Sequence, residues 1–318
     1  MVSSSLTKPR LSPVATGLAW GMLAAAIWTV YSVLARLGIK SGLSPLDMTL
    51  LRFTPGALVM LPFVWRWGWR GLGGIGWRRG AVLAALSGPM FSLLMMTGFA
   101  YAPLAHGAVI APACQMLAGI GLSAWLARSP VTRETMFGAG FVLLGLAFMG
   151  GDALVHSGGG GVLLGDALFA AAGCCWGLFG ALSRRWEVDA LRVTGVAVVL
   201  AFAMFAPLYA ALGDPAALRA AAPGFVVMQA VAHGIGAGLV AVLAYSRAAV
   251  LLGPGRAAFF GAMVPGAASL LAIPVLDEIP TALQVAGLLA VVTGLLLAFG
   301  AVRVLVQRRG GGEGAARR

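Results

Sequence analysis

Apolar runs of close to twenty residues alternate along this chain with short stretches of glycine, proline and basic residues. A helix crossing about 30 Å of hydrocarbon needs about 20 apolar residues. Marking charges and turn formers predicts ten such helices, over residues 14–35, 46–64, 81–100, 103–126, 135–150, 162–183, 193–212, 223–246, 257–276 and 281–302. The third and fourth come from one uncharged stretch between Arg79 and Arg128, too long for one crossing. Tyr101-Ala102-Pro103 supplies the break, because proline disfavours helix in the residue before it. The first run is too long for the apolar core of a signal peptide and reads as a span. The expected class is an all-α integral membrane protein with ten transmembrane helices.

Loop charge is consistent with that count. With the N-terminus inside, eighteen of the 22 Lys and Arg residues fall on the cytoplasmic side. Arg36, Lys40 and Arg219 fall on the other side, and Arg52 lies within a span. A missed or invented span would scramble this asymmetry, so the positive-inside rule predicts both termini in the cytoplasm. The expected location is the cytoplasmic (inner) membrane of a bacterium, crossed many times.

Composition agrees: 60% of the 318 residues are hydrophobic, 10% are charged, and mean hydropathy is +0.94. A water-soluble fold of this length could not cover its surface with so few charges. The net charge of +12 does not indicate nucleic acid, because the basic residues sit in short clusters between apolar runs. Cys114, Cys174 and Cys175 lie inside apolar runs without partners at metal-ligand spacing, so no metal and no cofactor is expected. The partners expected are a small-molecule substrate and the lipid bilayer, with a homodimer left open. The sequence holds only ten Asp and Glu and no His-x-x-Glu-His or Gly-x-Ser-x-Gly pattern, so an enzyme is not expected. No Gly-x-x-x-x-Gly-Lys-Ser/Thr loop is present, which argues against ATP as the energy source.

The two halves echo one another. Gly17, Trp28 and Arg36 correspond to Gly165, Trp176 and Arg184 at a constant offset of 148. Gly138 and Gly145 correspond to Gly287 and Gly294 at an offset of 149. Five spans per half is an odd number, so the copies must be inverted in the membrane. Inverted repeats are characteristic of secondary transporters that expose a midplane site to each side in turn.

Polar residues inside spans are the candidates for chemistry. Arg52 lies about 9 Å from the outer end of its helix at 1.5 Å per residue. It is either an anchor for an anionic group such as a carboxylate or a side chain that snorkels to the interface. Ser44-Pro45-Leu46-Asp47 reads as a helix start, with Asp47 a cap. His106 and Gln115 share the fourth span; Gln229 and His233, at i and i+4 in the eighth, share one face. These four are candidate cavity groups, with His233 a speculative proton site, against a plain role in interhelical hydrogen bonding. Trp28, Tyr31, Trp176 and Phe179 occupy equivalent places in the two halves and are candidate substrate walls, or else packing aromatics. Breaks at Pro89, Pro112, Pro254 and Pro265 suggest hinges or kinks.

The segment Tyr245 to Arg256 (YSRAAVLLGPGR), Met263-Val264-Pro265, Leu276-Asp277-Glu278-Ile279-Pro280 and Gln284 to Gly287 with Gly294 resemble the EamA family of the drug/metabolite transporter superfamily. Leu51-Arg52-Phe53 resembles that family's arginine motif in the second helix. At the repeat offset Ser129 stands opposite Glu278 and Met116 opposite Pro265, so the first copy lacks both signatures. The resemblance implies two inverted five-helix repeats, over 14–150 and 162–303, around a central cavity. A Gly-rich external linker (151–161) would join them, and a basic cytoplasmic tail (304–318) would follow. It also implies secondary transport, with export of amino acids or related small metabolites. Tyr245 joins the candidate substrate-binding residues on this ground, and Glu278 becomes a speculative coupling residue. Multidrug or lipid-type export and a non-transporting membrane scaffold are the alternatives.

Overall fold

The structure is a computed structural model and describes residues 12–127, 132–156 and 160–298. Helix α1 covers Pro13–Lys40 and α2 Pro45–Arg66. A 3-10 turn at Trp69–Gly74 leads to α3 (Trp77–Ser87) and α4 (Pro89–Tyr101). Next come α5 (Leu104–Ala127), α6 (Arg133–His156), α7 (Gly160–Arg185) and α8 (Ala190–Leu212). A short α9 (Ala216–Ala220) precedes α10 (Pro223–Ala230), which passes through a π-helical stretch, Val231–Val240, into α11 (Ala241–Leu252). The last two are α12 (Pro254–Leu276) and α13 (Ala282–Ala298). Among the described residues, nine helical stretches are long and apolar enough to cross a membrane, with α3–α4 and α10–α11 each counting as one. The tenth expected span is α13, apolar but with 17 described residues.

Each helix starts and stops for local reasons. Ser12 caps α1, and Ser44 with Asp47 closes a capping box on α2, so Asp47 holds the cap role. Of the prolines expected to break helices, Pro89 and Pro254 do so, each opening a helix just after a glycine: Gly88 between α3 and α4, and Gly253 between α11 and α12. Pro112 and Pro265 sit inside unbroken helices, where neighbouring spans take up the freed backbone groups. The expected linker, 151–161, is helical at 151–156 and 160–161, and residues 157–159 lie outside the described residues. Gly150, Gly151 and Asp152 look like a helix end in sequence, but Asp152 is buried with hydrogen-bond partners, so α6 runs on. The tail expected over 304–318 also lies outside the described residues.

The bundle is inside out relative to a water-soluble protein. Val250, Trp125, Val155 and Leu270 are at least 70% exposed, while Asp47, His106, Asp152, Gln229 and His233 are at most 1% exposed. That distribution suits hydrocarbon outside and a polar interior. Packing pairs α6 with α13, α5 with α7, α1 with α11 and α12, α4 with α7, and α2 with α8. Exchanging the first five spans for the last five maps these pairs onto one another.

The α6–α13 seam explains the repeated glycines. A methyl group added at Gly294 would lie 2.5 Å from the Gly138 carbonyl oxygen, and one at Gly145 would lie 2.7 Å from that of Gly287. Backbones this close tolerate only hydrogen at those positions. Gly294→Ala is expected to lower the melting temperature of the detergent-purified protein, at a cost of about 1–3 kcal/mol from overpacking. Gly140→Ala, on the same α6 with open space around it, is the control and should leave the melting temperature within error.

Candidate functional site: a cavity open at one end of the bundle

The end at which α1 begins is the near end, and the other is the far end. A cavity of about 710 Å³ runs from mid-bundle to the near end, where Ala124, Thr135, Arg184 and Ala298 line it. Its walls are mostly apolar. Trp28 and Tyr245 meet at 5.4 Å between ring centroids, Phe91 and Trp176 at 4.8 Å, and Trp176 and Phe179 at 5.4 Å. Gln115 adds a polar group to the wall. Seven of the residues singled out from sequence therefore share one cavity: Trp28, Tyr31, Arg52, Gln115, Trp176, Phe179 and Tyr245.

Arg52 sits at the deep end of this cavity, 8% exposed. The helix register of α2 carries it there from the capping box of Ser44 and Asp47. Its guanidinium lies over the ring of Tyr31 at 5.0 Å, of Phe91 at 5.5 Å and of Phe53 at 5.8 Å. Its Nε and Nη1, and the Tyr31 hydroxyl, have no hydrogen-bond partner among the described residues. His233 is fully buried edge-on against Tyr31 at 4.7 Å, with both ring nitrogens likewise unpartnered. The π-helical stretch holds His233 in place, and π turns inside α-helices often mark functional positions. Leaving one buried donor unsatisfied costs about 1–3 kcal/mol, and more for a charged group. Arg52 and Tyr31 line the cavity, and their three unpartnered donors are a cost that an anionic ligand would remove. Gln229, one turn before His233, donates to the Leu34 carbonyl at 3.0 Å and lies outside the cavity wall, as does His233.

The far end is shut by two polar groupings. At the first, Glu278 takes the Arg36 Nε at 2.8 Å through Oε1 and the backbone N–H of Leu104 at 2.8 Å through Oε2. Arg36 also donates to the Phe99 carbonyl, and Lys40 donates to the Leu276 carbonyl at 2.6 Å. One carboxylate thus ties α1 and the α12–α13 turn to the first turn of α5, where the helix dipole favours negative charge.

His106 centres the second grouping and does not line the cavity. Its Nδ1 lies 2.7 Å from Asp166 Oδ1 and its Nε2 3.1 Å from Asp152 Oδ2. Gln284 donates to Asp152 at 2.7 Å, and the Thr281 hydroxyl donates to the other Asp152 oxygen. Asp166 is in the second turn of α7. Asp152 was not visible as a site residue. The only signal for it was an acid on an apolar stretch, which becomes informative once the helix is allowed to pass Gly150 and Gly151.

Comparison with known proteins bears on this arrangement. The model of the EamA-like transporter family matches residues 15–151 and again 163–300. The chain belongs to the EamA-like transporter family. It is therefore a multi-pass membrane protein of a small-molecule transporter family. No curated protein matches its sequence. One solved crystal structure of a protein superposes with a TM-score of 0.59 at 20% identity, over 91% of this chain and 98% of its own, which supports the fold.

If the Glu278 contacts hold the far end shut, Glu278→Gln should open it. The readout is Ala108→Cys, on the cavity wall one turn into α5, in a background with Cys114, Cys174 and Cys175 changed to Ala. Its labelling by a membrane-impermeant maleimide from the far side is expected to rise about tenfold, the factor given by about 1.4 kcal/mol of lost ion pairing and capping. An unchanged labelling rate would remove Glu278 from the closure.

Proposed function

We propose that this chain is a secondary transporter that works by alternating access and exports amino acids or related small metabolites bearing an anionic group. The single observation that carries this reading is Arg52, a buried guanidinium that faces the deep end of the cavity and has no counter-ion among the described residues. A planar guanidinium grips a carboxylate in bidentate fashion, and the Tyr31 hydroxyl is placed to add a further hydrogen bond. The aromatic walls suit an apolar side chain on such a substrate.

Several observations support the mechanism. The family match falls in two copies, and the helix contacts are exchanged between the halves, as two inverted repeats require. The cavity reaches the near end while the far end is tied by Glu278 and His106, which is the layout of one state of an alternating-access cycle. The excess of Lys and Arg beside the near end supports a cytoplasmic position for that end and both termini, in a bacterium, under the positive-inside rule. On this reading the conformation is open inward. Binding and conformational change suffice for the activity, and no bond-breaking step is assigned. The largely apolar cavity wall favours a second reading, a multidrug or lipid-type exporter.

The test is a melting-temperature screen of purified protein against carboxylates and their matching amides, with phenylalanine and phenylalaninamide as the first pair. A ligand that binds only the folded state raises the melting temperature with concentration. A carboxylate-selective shift is expected, with Arg52→Gln weakening affinity about ten- to hundredfold, the range for losing charge-assisted hydrogen bonds. Equal shifts for carboxylates and amides, or shifts from lipophilic cations alone, would overturn the anionic-substrate reading in favour of the multidrug exporter.

A further inference from the structure

We propose that His106, Asp152 and Asp166 form a proton-binding site at the far end, separate from the substrate cavity, whose occupancy is linked to closure of that end. The proposal rests on the alternating-access reading only in requiring that the far end open and close.

The geometry supplies the proton count. An imidazole ring with one N–H can donate to one of two carboxylates, and its bare nitrogen then faces an oxygen lone pair. Here both ring nitrogens lie within hydrogen-bond distance of carboxylate oxygens, at 2.7 and 3.1 Å. Both carboxylate contacts are favourable only when the trio holds one proton beyond a neutral imidazole and two carboxylates. Without that proton a bare Nε2 has as its donor the Gln284 amide nitrogen, 3.3 Å away and already donating to Asp152. Asp152 already accepts from Gln284 and Thr281, so its oxygens are engaged as acceptors. Asp166 Oδ2 is buried without a partner among the described residues, and that side chain is 12% exposed, against 0% for His106 and 1% for Asp152. Asp166 is therefore the route by which the proton reaches the trio from the far side.

The placement links that proton to movement. His106 and Asp166 belong to the tightly packed α5–α7 pair, and Asp152, Gln284 and Thr281 belong to α6 and the start of α13, which form another tight pair. Parting the two pairs pulls His106 away from Asp152 and lets water solvate both carboxylates, so the extra proton loses its reason to stay. The shut far end thus binds one proton more than the open one. Lower pH then favours closure, and higher pH favours opening. The other charged groups near this site are Arg36 and Lys40 of α1 and Glu278 of the α12–α13 turn. Their contacts go to one another, to backbone carbonyls and to the Leu104 N–H, two residues from His106, not to the imidazole. Asp47 on α2 is occupied by Ser44 and by Tyr209 at 2.6 Å.

The test is a spin-label distance measurement on the full chain in nanodiscs, in the cysteine-free background, between Leu164→Cys on α7 and Val285→Cys on α13. Both positions are exposed. The titration runs from about pH 6 to about pH 9, the range that brackets an imidazole. Glu278→Gln is included to populate the open state measurably. The long-distance population is expected to rise with pH, its ratio to the short-distance population changing by up to about tenfold per pH unit, the limit for one linked proton. His106→Gln and Asp166→Asn should each flatten that slope while Glu278→Gln keeps it. A far end that opens in Glu278→Gln with no pH dependence, or the same slope in His106→Gln, overturns the proton site and leaves alternating access standing. A far end that stays shut in every variant at every pH overturns both.

Discussion

In hydrocarbon there is no water to solvate a buried polar group, so each one must find its partner inside the protein. The far end shows what that constraint builds. Glu278 takes a guanidinium, an ammonium and a helix N-terminus at once, and Asp152 takes a hydroxyl, an amide and an imidazole. Serving these groups brings α1, α5, α6, α7 and α13 together, and that convergence shuts the bundle on one side. At the deep end of the cavity the same constraint is left unmet around Arg52, Tyr31 and His233. The contrast between a satisfied end and an unsatisfied centre is the physical basis for reading the centre as the place where a ligand sits.

Packing turns those local contacts into a mechanism. Transmembrane helices gain nothing from hiding apolar surface from lipid, so they associate where small residues permit close contact or where polar groups bond across. The α6–α13 seam, with Gly138 against Gly294 and Gly145 against Gly287, is the first kind and makes a stiff unit. The α5–α7 pair is another, with Gly173 and Gly177 against the α5 backbone. Between such units the ties are few and polar. Polar ties can be exchanged for water or for a ligand, whereas interlocked glycines cannot, and this suits a bundle that must open on alternate sides.

Much of this was legible in the sequence. Span positions followed from hydropathy because lipid imposes length and apolarity directly. The repeated glycines and aromatics marked the helices that pack together, and Trp28, Tyr31, Arg52, Gln115, Trp176, Phe179 and Tyr245 do meet around one cavity. What escaped was anything that depends on contact across distant segments. Nothing in the neighbourhood of Glu278 announces that Arg36, 242 residues earlier, is its partner. His106 looked like Gln115, a polar group on the same helix, but the rotation of α5 sends one to the cavity and the other to the carboxylates of α6 and α7. Prolines were uneven guides to helix breaks, since Pro112 and Pro265 are absorbed by their surroundings.

The π-helical stretch at Val231–Val240 has a geometric effect beyond holding His233. A π turn closes over one residue more than an α turn, and each residue of an α-helix accounts for about 100° of rotation. The stretch therefore sets the angular phase of everything after it on the same span, including Tyr245 and Ser246 on the cavity wall. Removing one residue there would rewind the helix and turn Tyr245 away from Trp28, while leaving composition, hydropathy and length nearly untouched. Part of the shape of the cavity is thus encoded by a residue count, and the glycines at 234, 236 and 238 leave room for the wider turn.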